Sequence, residues 1–117
     1  MTNPSIKTID VHELKNRMEK NPELCLIDVR ELDEWNEFHI TSAIHLPKST
    51  IISCIEAKIT NKNQPLYLYC KGGVRSLYAA QFLIDMGYQE IYSIDGGIID
   101  WSSAGYPIKR ITSDCYK

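Results

Sequence analysis

Apolar positions along this chain follow two alternating rhythms. Short runs such as "ELCLIDV" and "PLYLYC" are apolar through their centres, as strands covered on both faces are, and between them the apolar residues recur every three or four positions, as on helices. "IKTI" predicts a first short strand. "DVHELKNRMEK" predicts a helix, with Asp10 as N-cap, Glu13 three residues on, and Val11, Leu14 and Met18 on one face. After the strand "ELCLIDV", the stretch "ELDEWNEFHI" predicts a short helix placing Leu32, Trp35 and Phe38 or His39 together. "AIHLP" reads as a short strand stopped by Pro47, and "STIISCIEAKIT" as a weaker helix capped at Ser49 or Thr50.

The second half repeats the alternation more clearly. "PLYLYC" begins with Pro65, where a missing N–H costs least. The helix "VRSLYAAQFLIDMG" carries Leu77, Ala80 and Ile84 on a stripe and closes at Gly87. "EIYSI" is a further strand, "DGG" a turn, and "IIDWSSAG" a last short helix with Ile98 and Trp101 inward, ended by Gly105 and Pro107. The alternation predicts an α/β domain: a mainly parallel sheet of about five strands with helices on both faces. The tail from Lys109 to Lys117 is polar and expected to be loosely held.

Composition narrows the picture. With 117 residues, 44% hydrophobic and 24% charged, the chain suits one domain over residues 1–117, with its core at about 6–108. A formal net charge of -2 gives no general attraction to nucleic acid or to an anionic membrane. No apolar run approaches the roughly 18 residues of a membrane span, and the first residues lack a signal-peptide pattern, so a cytoplasmic location is the expectation. The four cysteines, Cys25, Cys54, Cys70 and Cys115, include no CxxC pair. Neither a disulfide scaffold nor a zinc site is expected. Cys25 and Cys54 sit in apolar runs as small buried hydrophobes, Cys115 reads as a bystander thiol, and His12, His39 and His45 share no spacing that suggests a ligand set or a base.

Cys70 stands apart, because it falls where a strand gives way to a helix through two glycines. In α/β units, ligands bind beyond the carboxyl ends of the strands. Backbone N–H groups of a glycine turn, added to those of a helix start, make a concave anion site. Gly72 and Gly73 are free to take positive φ there, and the same positive potential favours the thiolate, the nucleophilic form of cysteine. Lys71 and Arg75 add cationic side chains.

"CKGGVR" resembles the active-site loop of the rhodanese family of sulfurtransferases. "LIDVRELDEWNEFHI" resembles that family's Asp-Val-Arg segment with its acidic-aromatic helix, "AIHLP" its following strand, and "GYQEIYSIDGGIIDWSSAGYPI" its C-terminal signature. The resemblance implies the rhodanese three-layer fold. It implies that Cys70 accepts a sulfane sulfur as a persulfide, that the backbone of Lys71, Gly72, Gly73, Val74 and Arg75 surrounds the outer sulfur, and that Arg75 braces the loop or binds an anionic donor. Lys71 would tune the preference for anionic substrates. Asp28 and Arg30 correspond to the family's pair beside the site, where a structural ion pair orienting loops is at least as good a reading as direct chemistry. The partners implied are a small sulfur donor such as thiosulfate, a thiol or cyanide acceptor, and a sulfur-relay protein, with no metal or organic cofactor.

Two rival readings share the architecture. Dual-specificity phosphatases and some arsenate reductases carry one more residue between the cysteine and the arginine, whereas only Lys71, Gly72, Gly73 and Val74 intervene here. A non-catalytic module of the same fold, serving as sulfur carrier or binding a partner, is the other. The chain departs from the family in one turn: Thr41 and Ser42 stand where a Pro-Gly step is common.

Overall fold

A computed structural model describes residues 6–110; Cys115, and the rest of the tail beyond Arg110, lie outside the described residues. Five parallel strands form the sheet: β1 (Ile6–Ile9), β2 (Cys25–Asp28), β4 (Ile44–His45), β5 (Leu66–Tyr69) and β6 (Ile91–Ile94). Their order is β1-β6-β5-β2-β4, which puts β5 at the centre. The helices are α1 (Val11–Lys20), α2 (Leu32–Glu37), α3 (Ile51–Lys58), α4 (Val74–Asp85) and α5 (Gly97–Ser103).

Alternation along the central strands sorts the core into two layers. Leu66 and Leu68 of β5, Ile27 of β2 and Ile91 of β6 face one side, where Ile51 and Ile55 of α3 and Ala79, Ala80 and Leu83 of α4 cover them. Tyr67 and Tyr69, Leu26, Tyr92 and Ile94 face the other, against Val11 and Leu14 of α1 and Ile98 and Trp101 of α5. Both faces being buried, the strands read as continuous apolar runs in the sequence. Asp10 caps α1 as expected, its carboxylate accepting the Glu13 N–H at 2.8 Å.

Several local expectations are corrected. Of the stripe expected on α4, Ala80 is buried and Ile84 packs partly buried against the core, but Leu77 is exposed; Ser76, Ala79 and Leu83 complete the buried face instead. Small residues face the sheet because they let the helix approach it closely. Leu32 is exposed rather than sharing a face with Trp35. His39 and Ile40 are not a helix end but strand β3, paired antiparallel with β7 (Ile108–Lys109), so Lys109 belongs to a strand and not to a loose tail. Cys25 and Cys54 are half-buried at the margin of the core rather than fully enclosed. Thr50 is the N-cap of α3 but its side chain makes no capping bond, and Ser49 instead donates to Glu31 at 2.8 Å. Ser42, where a glycine would be at ease, has a φ of 77°, a left-handed conformation that costs a side-chain-bearing residue free energy.

Candidate active site

β5 delivers Cys70 to the carboxyl edge of the sheet at its centre, and α4 begins four residues later. Gly73 is the N-cap of that helix and has no side chain to cap it. The Cys70 sulfur takes that place: Sγ accepts the Gly73 N–H at 3.1 Å and the Ser76 N–H, in the third position of α4, at 3.4 Å. A helix start thus aims its unpaired donors and positive end at one sulfur. Gly73 has a φ of 118°, which a residue with Cβ adopts only under strain. Gly72 does not share this: its φ is not positive, and a Cβ there would meet open space. Of the two glycines expected to supply the curl, only Gly73 does.

The loop is held from beneath by α5. Ile98 and Ile99 donate their N–H groups to the carbonyls of Cys70 and Lys71, at 3.0 and 3.2 Å. This contact requires Gly97, since a Cβ on it would overlap both carbonyl oxygens. From the side, Arg75 forms a two-pronged pair with Glu34 of α2 at 2.6 and 2.8 Å. Glu34 also accepts the Glu31 N–H at 3.0 Å, so one carboxylate joins the start of α2 to the start of α4. The Arg75 hydrogen bonds hold the Glu34 carboxyl at about 2, against an opposing push from partial burial. Arg75, expected either to brace the loop or to bind an anionic donor, has its guanidinium engaged by Glu34.

Asp28 and Arg30 form a separate unit at the end of neighbouring β2. Both are buried, and Arg30 Nη2 meets Asp28 Oδ2 at 2.9 Å while Nε reaches both carboxylate oxygens at 3.1 Å. Arg30 Nη2 also donates to the Phe38 carbonyl at 2.6 Å, and its own carbonyl meets His45 Nε2 at 2.7 Å. Burial pulls the guanidinium towards neutrality, but the bonds and charge of Asp28, with Tyr69 and Glu34, together outweigh it and its pKa ends raised. Burial, reinforced by the Asp28 carboxylate, raises the phenol of Tyr69, whose oxygen accepts the Ile40 N–H at 3.0 Å. The bonds of Arg30 tie the end of β2 to the end of α2 and to β4, and the Tyr69–Ile40 bond ties β5 to β3.

The four motifs that suggested a family in the sequence therefore meet at this edge of the sheet: the cysteine loop, the Asp28-to-Ile40 segment, "AIHLP" through His45, and the C-terminal glycine turn. A family model, Rhodanese-like domain, matches residues 10–104. The chain belongs to that family. Among its rhodanese-like relatives, it is 33% identical over 101 residues to "Thiosulfate sulfurtransferase GlpE" of Vibrio cholerae, spanning 86% of this chain and 92% of the relative. It is 35% identical over 98 residues to the protein of the same name from Coxiella burnetii, covering 84% and 85%. The solution structure of a rhodanese-like domain from an Anabaena protein superposes with a TM-score of 0.79 at 26% identity, over 97% of this chain and 84% of that one.

In this rhodanese-like domain an open cleft of about 350 Å³ runs beside the loop, between α2 and α5, with Lys71, Arg30, Glu34, Phe38 and Ile99 among its walls. Cys70 itself is 1% exposed, while Lys71 and Gly72 are exposed and Val74 is 67% exposed. Sequence reasoning missed Glu34, Ser76, Ser93 and Gly97. Ser93 carried a signal, a hydroxyl in the middle of the apolar strand "IYSI". Ser76 stood three residues after Gly73, where a helix presents an inward-facing donor.

Proposed function

We propose that this chain is a rhodanese-type sulfurtransferase that carries a sulfane sulfur on Cys70, with thiosulfate as donor and a thiol or cyanide as acceptor. The observation that carries the reading is the pair of N–H groups, from Gly73 and Ser76, converging on the Cys70 sulfur at a helix start. Donors so placed stabilise negative charge without having to reorganise during the reaction. The relatives named thiosulfate sulfurtransferase at 33% and 35% identity support the choice of donor.

The Cys70 thiolate attacks the outer sulfur of thiosulfate; a sulfur–sulfur bond forms as the donor's own breaks, and sulfite leaves with the electron pair. The outer sulfur of the new persulfide stands one bond further out than a side chain that is almost wholly buried. It is the atom an acceptor meets. The reading assigns the backbone N–H groups of Lys71, Gly72, Gly73, Val74 and Arg75 to that position, since the first N–H groups of α4 have no intrahelical partner. Lys71, exposed on the cleft wall, draws anionic donors toward it. Arg75, engaged by Glu34, fixes the loop. An acceptor then takes the outer sulfur and returns the electron pair to Sγ. A loop with only four residues between Cys70 and Arg75 favours a sulfur atom over a tetrahedral oxyanion. A sulfur-relay protein fits the same acceptor role.

Steady-state thiocyanate formation from thiosulfate and cyanide tests this. Parallel lines in double-reciprocal plots, the mark of a covalent intermediate, and loss of all turnover in Cys70→Ser are expected. No thiocyanate from reduced, folded protein would leave the chain a partner-binding or carrier module.

A further inference from the structure

Behind Cys70 lies a pair of buried hydroxyls that the steps above do not use. Ser76 and Ser93 are both buried, and their Oγ atoms lie 2.7 Å apart. Ser76 Oγ is 3.6 Å from the Cys70 sulfur and 3.1 Å from the Gly73 carbonyl oxygen. Ser93 occupies β6 between Tyr92 and Ile94, in a strand buried throughout. A hydroxyl in such a place is unfavourable unless bonded, and its bond runs to Ser76 and so toward the sulfur.

Counting protons fixes the directions. The Gly73 carbonyl has no proton to give, so Ser76 donates to it, and Ser93 then donates to Ser76. The remaining lone pair of Ser76 Oγ takes the S–H of a Cys70 thiol. Once that proton leaves, the sulfur needs donors rather than an acceptor. Rotation about one bond turns the Ser76 O–H from the Gly73 carbonyl to the thiolate, while Ser93 keeps donating from behind.

Resting on the sulfurtransferase reading, we infer that Ser76 and Ser93 form a reorienting hydroxyl relay that follows charge on the Cys70 sulfur, Ser76 touching it and Ser93 positioning Ser76. The relay matters most where charge arrives on Sγ. In sulfur release the acceptor's electron pair forms its bond to the outer sulfur, the persulfide bond breaks, and its pair moves onto Sγ. Ser76 turns to meet that charge. In the loaded persulfide the inner sulfur is neutral and Ser76 returns to Gly73.

The test loads wild type, Ser76→Ala, Ser93→Ala and the double variant with thiosulfate and measures sulfur release to cyanide in a single turnover, beside the pH profile of iodoacetamide alkylation of unloaded Cys70. A hydrogen bond to a charged group predicts that Ser76→Ala releases sulfur roughly tenfold more slowly. Its alkylation profile moves to higher pH. Ser93→Ala falls less, about threefold, and the double variant is no slower than Ser76→Ala, since Ser93 acts through Ser76. The double variant also guards against misfolding, because it leaves neither hydroxyl without its partner. The charges around the loop, Lys71, Glu34 with Arg75 and Asp28 with Arg30, are the same in all four proteins, so a moved profile reports the hydroxyls. A folded double variant that releases sulfur and alkylates as wild type does, with only its melting temperature changed, would overturn the relay. If wild type takes no sulfur from thiosulfate, the sulfurtransferase reading fails and the alkylation profiles alone decide the relay.

Discussion

Two neighbouring strands end at the same edge of this sheet and treat charge in opposite ways. After β5, the charge to be held is a sulfur's, and backbone N–H groups from Gly73 and Ser76 converge on it beside an open cleft. After β2, the charges are permanent and already matched: Asp28 and Arg30 satisfy each other in a buried pair. A site that must gain and lose charge uses donors that stay neutral themselves, whereas a site that only fixes geometry can enclose a full ion pair. On the proposed function Cys70 belongs to the first kind, and Asp28 with Arg30 to the second.

The contrast can be broken most forcefully on the structural side. Asp28→Asn leaves the Arg30 guanidinium buried without its counter-charge, and about 3–5 kcal/mol of stability should be lost, read as a lower midpoint in urea. Sulfur transfer per folded molecule should stay close to wild type. A fully folded variant with no transfer would move Asp28 from scaffold to chemistry. Next in size, Gly97→Ala pushes a methyl group into the Cys70 and Lys71 carbonyls. Overpacking of this kind costs about 1–3 kcal/mol, and because the loop must shift, persulfide formation should fall along with the melting temperature.

Smaller effects sharpen the account of the loop itself. Gly73→Ala should cost about 1 kcal/mol through its positive φ, and Gly72→Ala far less, as a comparison of melting temperatures would show. Equal losses would mean that both glycines set the curl. Glu34→Gln should cost at most about 1 kcal/mol, since the pair with Arg75 is partly exposed and screened. Its pH dependence has a definite sign. The folded-state pKa of Glu34, about 2, lies below the ordinary 4.5, so the pair's contribution is fully present above pH 4.5 and lost as pH falls toward 2. Unfolding curves of wild type and Glu34→Gln should converge over that acid range.

Much of this arrangement could be read from the chain alone, and physical reasons separate what could from what could not. The alternation of buried strands and helices predicted the parallel sheet, because strands covered on both faces announce themselves as apolar runs. The Cys70 loop was visible because its parts are adjacent in sequence. Glu34 and Arg75 are 41 positions apart, and Ser76 and Ser93 are 17 apart. Such pairings exist only after the strands are ordered. On α4 the helical period locates Ala80 on the buried face but not the exposure of Leu77, because close packing on the sheet favours Ser76 and Ala79 there. β3 and β7 are two residues each, too short to carry any periodicity.

The central claim is that Cys70 holds a transferable sulfur, and intact mass measures it directly. Reduced wild-type protein incubated with thiosulfate should gain the mass of one sulfur atom and lose it again when cyanide is added, while Cys70→Ser should gain nothing. A wild-type mass that does not change, or the same gain in Cys70→Ser, would contradict the account.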